Sequence, residues 1–191
     1  VLTGNHSDVD HWRNLVRQDK RHIELMFEQR WQANGHENFF LGPRNGMLMT
    51  TAFWAMRSKY FPREYAERMI HTWALNRERG FFGEFFPLAM AKKAMSVFSS
   101  ADDHSFGYTP DTAYFTLDGM FRQGFPKIAS DLTLNHLENY NYHDEWDMPV
   151  APEAYTRDLS LFGDQYSNFN AGKILLYLEG LFGLSYSIPD Q

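Results

Sequence analysis

Two glutamates in aromatic segments are the residues of this sequence whose type and setting best fit acid–base chemistry. Glu84 lies in the segment GEFFP, and its aromatic neighbours favour the protonated form of a carboxyl that a general acid needs. Glu153 lies in the segment PEAY just before an apolar helix, where its carboxylate could face a cleft. Each has an ordinary alternative, a loop carboxylate bound to backbone amides for Glu84 and a surface residue for Glu153.

Three further carboxylates lie on predicted helices. Glu138, in LENYN, is an alternative base, but it is predicted to end a helix instead of lying in a loop. Asp111 is predicted to be a first-turn helix acid, where the helix dipole favours negative charge. Asp118 lies on an otherwise apolar helix, so it is predicted to be buried and paired with Arg122 four residues on.

The aromatic share of the chain is high, 17%, and part of it falls in predicted loops. Aromatic faces line sugar-binding clefts, although core packing is the commoner role of each such residue. Arg44, in a Gly-Pro loop, is predicted to bind a hydroxyl or a carboxylate, with a surface position as the alternative. The candidates for stacking on a sugar are Phe85, Phe86, Trp146, Tyr155 and Tyr166.

Composition and motifs argue against several classes of function. The chain has no cysteine, none of its histidines forms an HExxH pattern, and it has no Gly-rich phosphate loop, so we predict no metal and no cofactor. The net charge is -6 and the basic residues are scattered, which argues against nucleic acid as a partner. No apolar run approaches the length of a membrane span. The absence of cysteine favours the cytoplasm and leaves secretion open.

The elements that must position these residues are helices, so the predicted fold class is all-α. Hydrophobic periodicity, prolines at helix starts and glycines at helix ends predict seven helices. Apolar helices alternate with amphipathic ones, which is typical of antiparallel α-hairpins with an inner and an outer layer. The predicted helices cover 8–33, 47–60, 62–79, 88–98, 110–123, 126–140 and 170–182.

We expect a single helical domain over 1–191 that is a portion of a longer protein, since the sequence has no initiator Met. A long irregular loop over 141–169 is predicted to carry the site, because structureless loops of this length are usually functional. The remaining parts are a long N-terminal helix over 1–35, helical hairpins over 36–140, and a final inner helix with a tail over 170–191.

The order of four landmarks resembles the C-terminal part of the six-hairpin glycosidases, the (α/α)6 toroids of the inverting glucosidase and trehalase type. The landmarks are a Gly-Pro loop opening an apolar helix (FFLGPRNGMLMTTAFWA), an outer helix, the PEAY loop and a last inner helix. The resemblance covers about residues 36–185. It departs from the family at Leu41, where the family loop has Arg, and at Asn45, where an aromatic is usual.

The resemblance implies an inverting glycoside hydrolase, or a fragment of one, that acts on carbohydrate with Glu153 as the base. The family's general acid lies in an upstream hairpin that has no match here, so the acid is Glu84 or belongs to a missing part. The alternative is a non-catalytic carbohydrate-binding or structural toroid protein. Because a partial toroid would expose inner-helix surface, we expect a homo-oligomer or association with a missing N-terminal part.

Overall fold

The computed structural model describes residues 6–33, 50–95, 107–140, 142–143, 148–149, 152–156, 158–165 and 171–184. This part of the chain is mostly helical, with four short strands. The prediction of a mostly helical fold is therefore confirmed for the described residues. None of the described helices is both long and apolar enough to cross a membrane.

The helices of the described residues follow one another as six α-helices, one 3₁₀ helix and two π-helical extensions. The 3₁₀ helix, η1, covers Thr50–Arg57, and the π turns extend α2 and α6. The α-helices are α1 (His6–Ala33), α2 (Arg63–Met69, continued as π over Ile70–Ala74), α3 (Lys92–Met95), α4 (Pro110–Arg122), α5 (Pro126–Tyr140) and α6 (Ala171–Leu175, continued as π over Leu176–Leu181).

Helices α4 and α5 lie where the sequence predicts them because their end signals are local. Each begins at a proline, whose missing N–H and fixed φ suit the first helical position. Gly124 follows α4 with a φ of 78°, a left-handed conformation that ends the helix at little cost. The two helices are joined by residues 123–125 and pack against each other.

The segment after α5 is more regular than predicted. Within 141–169, the described residues form two antiparallel strand pairs, β1 (Tyr142–His143) with β2 (Met148–Pro149) and β3 (Pro152–Tyr155) with β4 (Leu161–Gln165). The expectation of a wholly irregular loop was wrong, and PEAY is a strand. These strands are two to five residues long, too short for an alternating pattern to stand out in the sequence.

The predicted helix over 47–60 is shorter and tighter than expected in its described part. The 3₁₀ helix η1 begins at Thr50, whose N–H and hydroxyl both donate to the carbonyl of Ala89 at 2.9 and 3.2 Å. Phe53 and Met56 are buried against α4, where an added Cβ at Gly119 would lie 3.0 Å from the Met56 Cβ. Contacts to distant segments therefore shape this helix, and periodicity alone does not reveal them.

Two hydrophobic clusters form the core of the described chain. The larger joins η1, α2, α4 and α5, and α1 reaches it through its C-terminal half, where Trp31 stacks on Tyr65 with 4.3 Å between ring centroids. The N-terminal half of α1 contributes no residue to this cluster, and its Trp12 is exposed. The smaller cluster holds Phe85, Leu88, Met90, Ala94, Tyr108, Tyr140 and Tyr155.

A buried carboxylate ties α4 to η1. Asp118 accepts hydrogen bonds from the Nε of Arg122 at 2.8 Å and from the Nε of Arg57 at 2.6 Å. The predicted pairing with Arg122 is confirmed, because spacing of four residues on one helix is visible in the sequence. The contact with Arg57, which lies 61 residues away in the chain, cannot be read from the sequence.

Candidate functional site

The smaller core cluster is centred on the ring of Phe85. Phe85 stacks on Tyr108 with 4.0 Å between centroids and meets the other rings edge-on at 5.7 to 6.4 Å. The 81–86 loop, the residues before α4, the end of α5 and β3 all contribute to it. The members of this aromatic cluster are Phe85, Tyr108, His136, Tyr140 and Tyr155.

Hydrogen bonds hold all three tyrosine hydroxyls of the aromatic cluster. The Tyr108 hydroxyl accepts the Glu84 N–H at 3.0 Å, the Tyr140 hydroxyl donates to the Glu153 carbonyl at 3.2 Å, and the Tyr155 hydroxyl donates to the Tyr140 carbonyl at 3.1 Å. Burial raises the pKa of each tyrosine, that of Tyr155 to about 12. All three phenols are therefore neutral at physiological pH, and the Tyr140 and Tyr155 hydroxyl protons are held in hydrogen bonds to backbone carbonyls.

His136 is neutral as well, and its tautomer follows from its contacts. Its Nδ1 lies 2.9 Å from the carbonyl oxygen of Phe86, and because a carbonyl only accepts, Nδ1 carries the proton. Burial lowers the pKa of His136 to about 3, the hydrogen bond to Phe86 opposes this shift, and the charge of Lys173 adds to it. The acceptor Nε2 is fully buried and has no hydrogen-bond partner among the described residues.

Lys173, in α6, adds a buried amine to the aromatic cluster. Its Nζ lies 4.6 Å from the centroid of the Tyr140 ring, a cation–π geometry. Burial lowers the pKa of Lys173 to about 8. Gly172 allows α6 to pack closely on α4, since a Cβ there would lie only 2.9 Å from the Cβ of Tyr114.

Two carboxylates stand near the Tyr140 hydroxyl. The pKa of Tyr140 is raised first by burial, then by Tyr155, and then by the negative charges of Asp111 and Glu153. Glu153 is partly exposed on β3, and Gly163 on β4 faces it with a φ of 76°, where a Cβ would lie 2.8 Å from the Glu153 Cβ. Asp111 is partly exposed in the first turn of α4.

Glu84, the predicted acid, lies at the Tyr108 side of the aromatic cluster. It is exposed, its N–H donates to the Tyr108 hydroxyl, and its charge adds to the effect of burial in raising the pKa of Tyr108. The Tyr108 and Tyr155 backbones pair at 2.8 and 2.9 Å, which places Tyr108 beside the strand that carries Glu153. The structure therefore brings the two predicted catalytic residues to the same cluster.

The three predicted stacking residues that the structure describes, Phe85, Phe86 and Tyr155, are buried and packed against other side chains. A role in stacking on sugar would require the aromatic cluster to open, so it stays a prediction. The predicted binding residues Arg44, Trp146 and Tyr166 lie outside the described residues.

His136, Tyr140 and Lys173 were missed as site residues by reasoning from the sequence. The available signals were weak: His136 and Tyr140 are one helical turn apart in LNHLENY, and Lys173 stands beside apolar residues in AGKIL. Within the described ranges, no group of three His, Asp or Glu side chains is arranged to hold a metal ion.

No protein-family model, curated protein or solved structure matches this sequence. The chemistry of the site therefore has to be assigned from its own residues.

Proposed function

We propose that the chain is a carbohydrate-active protein, an inverting glycoside hydrolase or a portion of one, with Glu153 as general base. One observation carries the proposal: the main chains of the two residues that the sequence singles out, Glu84 and Glu153, are hydrogen-bonded to Tyr108 and Tyr140 of the same aromatic cluster. Clustered aromatic rings with carboxylates at their edge are typical of sites that bind sugars.

Inversion needs a carboxylate that takes a proton from water and a carboxylic acid that gives one to the leaving oxygen. The water oxygen attacks the anomeric carbon as the glycosidic bond breaks, so one proton is taken and one is given. Glu153 has the exposure that a base in contact with water needs. Glu84, at the Tyr108 side of the aromatic cluster, is the first candidate for the acid. Asp111, partly exposed in the first turn of α4, is a second contender for the acid.

The proposed architecture is part of an (α/α)6 toroid, with α4 and α5 as one helical hairpin. Their short connection and mutual packing support this pairing. Exposed apolar residues on the last helical turns, such as Ile174 and Phe182, fit a surface that a second copy or an upstream part of the protein covers.

The experiment compares wild type with Glu153→Gln, Glu84→Gln and Asp111→Asn on a glycan panel and on aryl glycosides with good leaving groups. Loss of a general base should lower the rate by about 10²–10⁴ on both kinds of substrate. Loss of the acid should lower it on glycans alone, because a good leaving group needs no proton. Exposed Glu67→Gln on α2 is the matched control. A wild type that hydrolyses no glycan, or a Glu153→Gln variant with full activity, would contradict the proposal.

A second candidate is a protein that binds carbohydrate without cleaving it. The close packing of Phe85 and Tyr155 inside the aromatic cluster favours a protein without catalysis, because packed rings form a scaffold and not the cleft that would enclose a glycosidic bond. Binding on a glycan array, with no turnover and no effect of Glu153→Gln on affinity, would support this reading against the enzyme.

A further inference from the structure

Two arginines, Arg57 and Arg122, share one buried carboxylate where η1 packs on α4. Their Nε atoms donate to the same oxygen of Asp118, at 2.6 and 2.8 Å. The Nε of Arg122 also reaches the other oxygen at 3.0 Å, so Arg122 pairs with the carboxylate unaided. Arg57 therefore brings a second positive charge to a carboxylate that is already paired, and an ion pair at this contact does not require that charge.

Most hydrogen-bond donors of this arginine pair, Arg57 and Arg122, are unused. A guanidinium group has five N–H donors, and each arginine uses only the one on Nε within the described part of the chain. The two side chains are 34% and 50% exposed, so the Nη groups can reach a ligand from solvent. Asp118 already accepts hydrogen bonds on both oxygens and is buried, so it does not serve these donors.

Partly exposed aromatic rings lie beside the arginine pair. The Arg57 guanidinium lies 4.8 Å from the ring centroid of Phe115 and 5.5 Å from that of Tyr114. Trp54 packs on Phe115 with 4.6 Å between centroids, and its buried indole N–H has no hydrogen-bond partner among the described residues. Apolar rings beside unused donors suit a ligand that carries acceptor oxygens on an apolar body.

The local charges set the class of anion. Two arginines and Asp118 leave one positive charge, and the negative charge of Glu179, in the π-helical continuation of α6, also acts on Arg122. A ligand with a single negative charge is therefore balanced, whereas a second charge on the ligand would gain little. Among monoanions, a planar carboxylate matches the planar fork of donors on a guanidinium group.

We propose that the arginine pair binds the carboxylate of a small aromatic acid, whose ring packs against Phe115 and Trp54. The carboxylate oxygens accept hydrogen bonds from the Nη groups of both arginines. Asp118 holds the two guanidinium groups side by side, so it is a positioning residue and does not touch the ligand. This site shares no residue with the aromatic cluster and makes or breaks no covalent bond, so it goes beyond the proposed hydrolysis.

The test titrates the folded protein with benzoate at pH 7 and low ionic strength, and follows the arginine Nε and tryptophan indole resonances by NMR. The resonances of Arg57, Arg122 and Trp54 should shift and saturate. Benzamide, a neutral molecule of the same shape, should bind at least about tenfold more weakly, because it lacks the charge-assisted hydrogen bonds. Phenyl phosphate, a dianion, should bind no more tightly than benzoate.

Arg57→Gln leaves Asp118 paired with Arg122, so it should keep the fold and bind benzoate at least about tenfold more weakly. Arg57→Lys keeps the charge but loses the planar fork, so it should weaken binding as well. Arg77→Gln is the matched control with unchanged affinity, because Arg77 also lies over a phenylalanine ring, 3.8 Å from the Phe82 centroid, but is not part of the pair.

Three results would overturn the proposal: no saturable shift with benzoate, equal binding of benzamide, or wild-type affinity in both Arg57 variants. Tighter binding of phenyl phosphate would overturn the assignment of a carboxylate. The titration needs no glycan and leaves Glu153 unchanged, so its failure is distinguishable from that of the proposed hydrolysis.

Discussion

Mild acid should destabilise this protein through His136. The folded-state pKa of His136, about 3, lies below the ordinary value of 6.5 because the imidazole is buried. Between these two pH values the unfolded chain binds a proton that the folded chain does not. The free energy of unfolding therefore falls as the pH falls from about 6.5 towards 3.

The size of this effect at pH 5 follows from the unfolded state. There an imidazole of pKa 6.5 is almost fully protonated, while the folded imidazole remains neutral. Protonation of the unfolded chain therefore lowers the free energy of unfolding at pH 5 by RT ln(1 + 10^1.5), about 2 kcal/mol. At pH 7.5 the same effect is almost zero. Because the folded-state pKa lies well below 5, its particular value hardly changes this figure.

The assay is urea unfolding at pH 7.5 and pH 5 of wild type and His136→Asn. Asparagine offers an N–H for the Phe86 carbonyl but does not titrate. Wild type should lose about 2 kcal/mol more than the variant between the two pH values. NMR of the wild type gives a second readout: one of the eight histidines should keep its Hε1 shift from pH 7.5 to 4.5. Equal losses in both proteins, or titration of all eight resonances above pH 5, would refute the reasoning.

Three substitutions test the core by urea unfolding. Asp118→Ala should cost about 1–3 kcal/mol, because it removes the charge-assisted hydrogen bonds from two partly exposed arginines to a buried carboxylate. Trp73→Ala should cost about 3–5 kcal/mol, since the indole is 1% exposed and its removal opens a cavity in the larger cluster. Gly107→Ala should cost about 1–3 kcal/mol and disturb the Tyr108–Tyr155 pairing, because its Cβ would lie 2.7 Å from the carbonyl carbon of Thr156.

Matched controls exist for the first two substitutions. Asp131 pairs with Lys127 at 2.9 Å on the exposed face of α5, so Asp131→Ala should cost under about 1 kcal/mol. Trp12 is 64% exposed, and Trp12→Ala should change the free energy of unfolding by no more than about 0.5 kcal/mol. Equal costs for the buried and the exposed member of either pair would contradict the burial on which these figures rest.

The sequence by itself determined the features that depend on neighbouring residues. The ends of α4 and α5 follow from Pro110, Pro126 and Gly124, because a proline starts a helix and a left-handed glycine ends it within one turn. The Asp118–Arg122 pair follows from helical spacing. These interactions act over at most four residues, so the sequence displays them directly.

Only the tertiary structure decided the environment of the site. The aromatic cluster forms because Phe86 meets His136 across 50 residues of chain, and because the backbones of Tyr108 and Tyr155 pair. Whether an aromatic ring faces a ligand or packs inside, and whether a lysine stays charged, depends on how far such distant segments exclude water. The sequence singles out Glu84 and Glu153 by their aromatic neighbours, while the burial that makes Lys173 and His136 unusual arises only when the chain is folded.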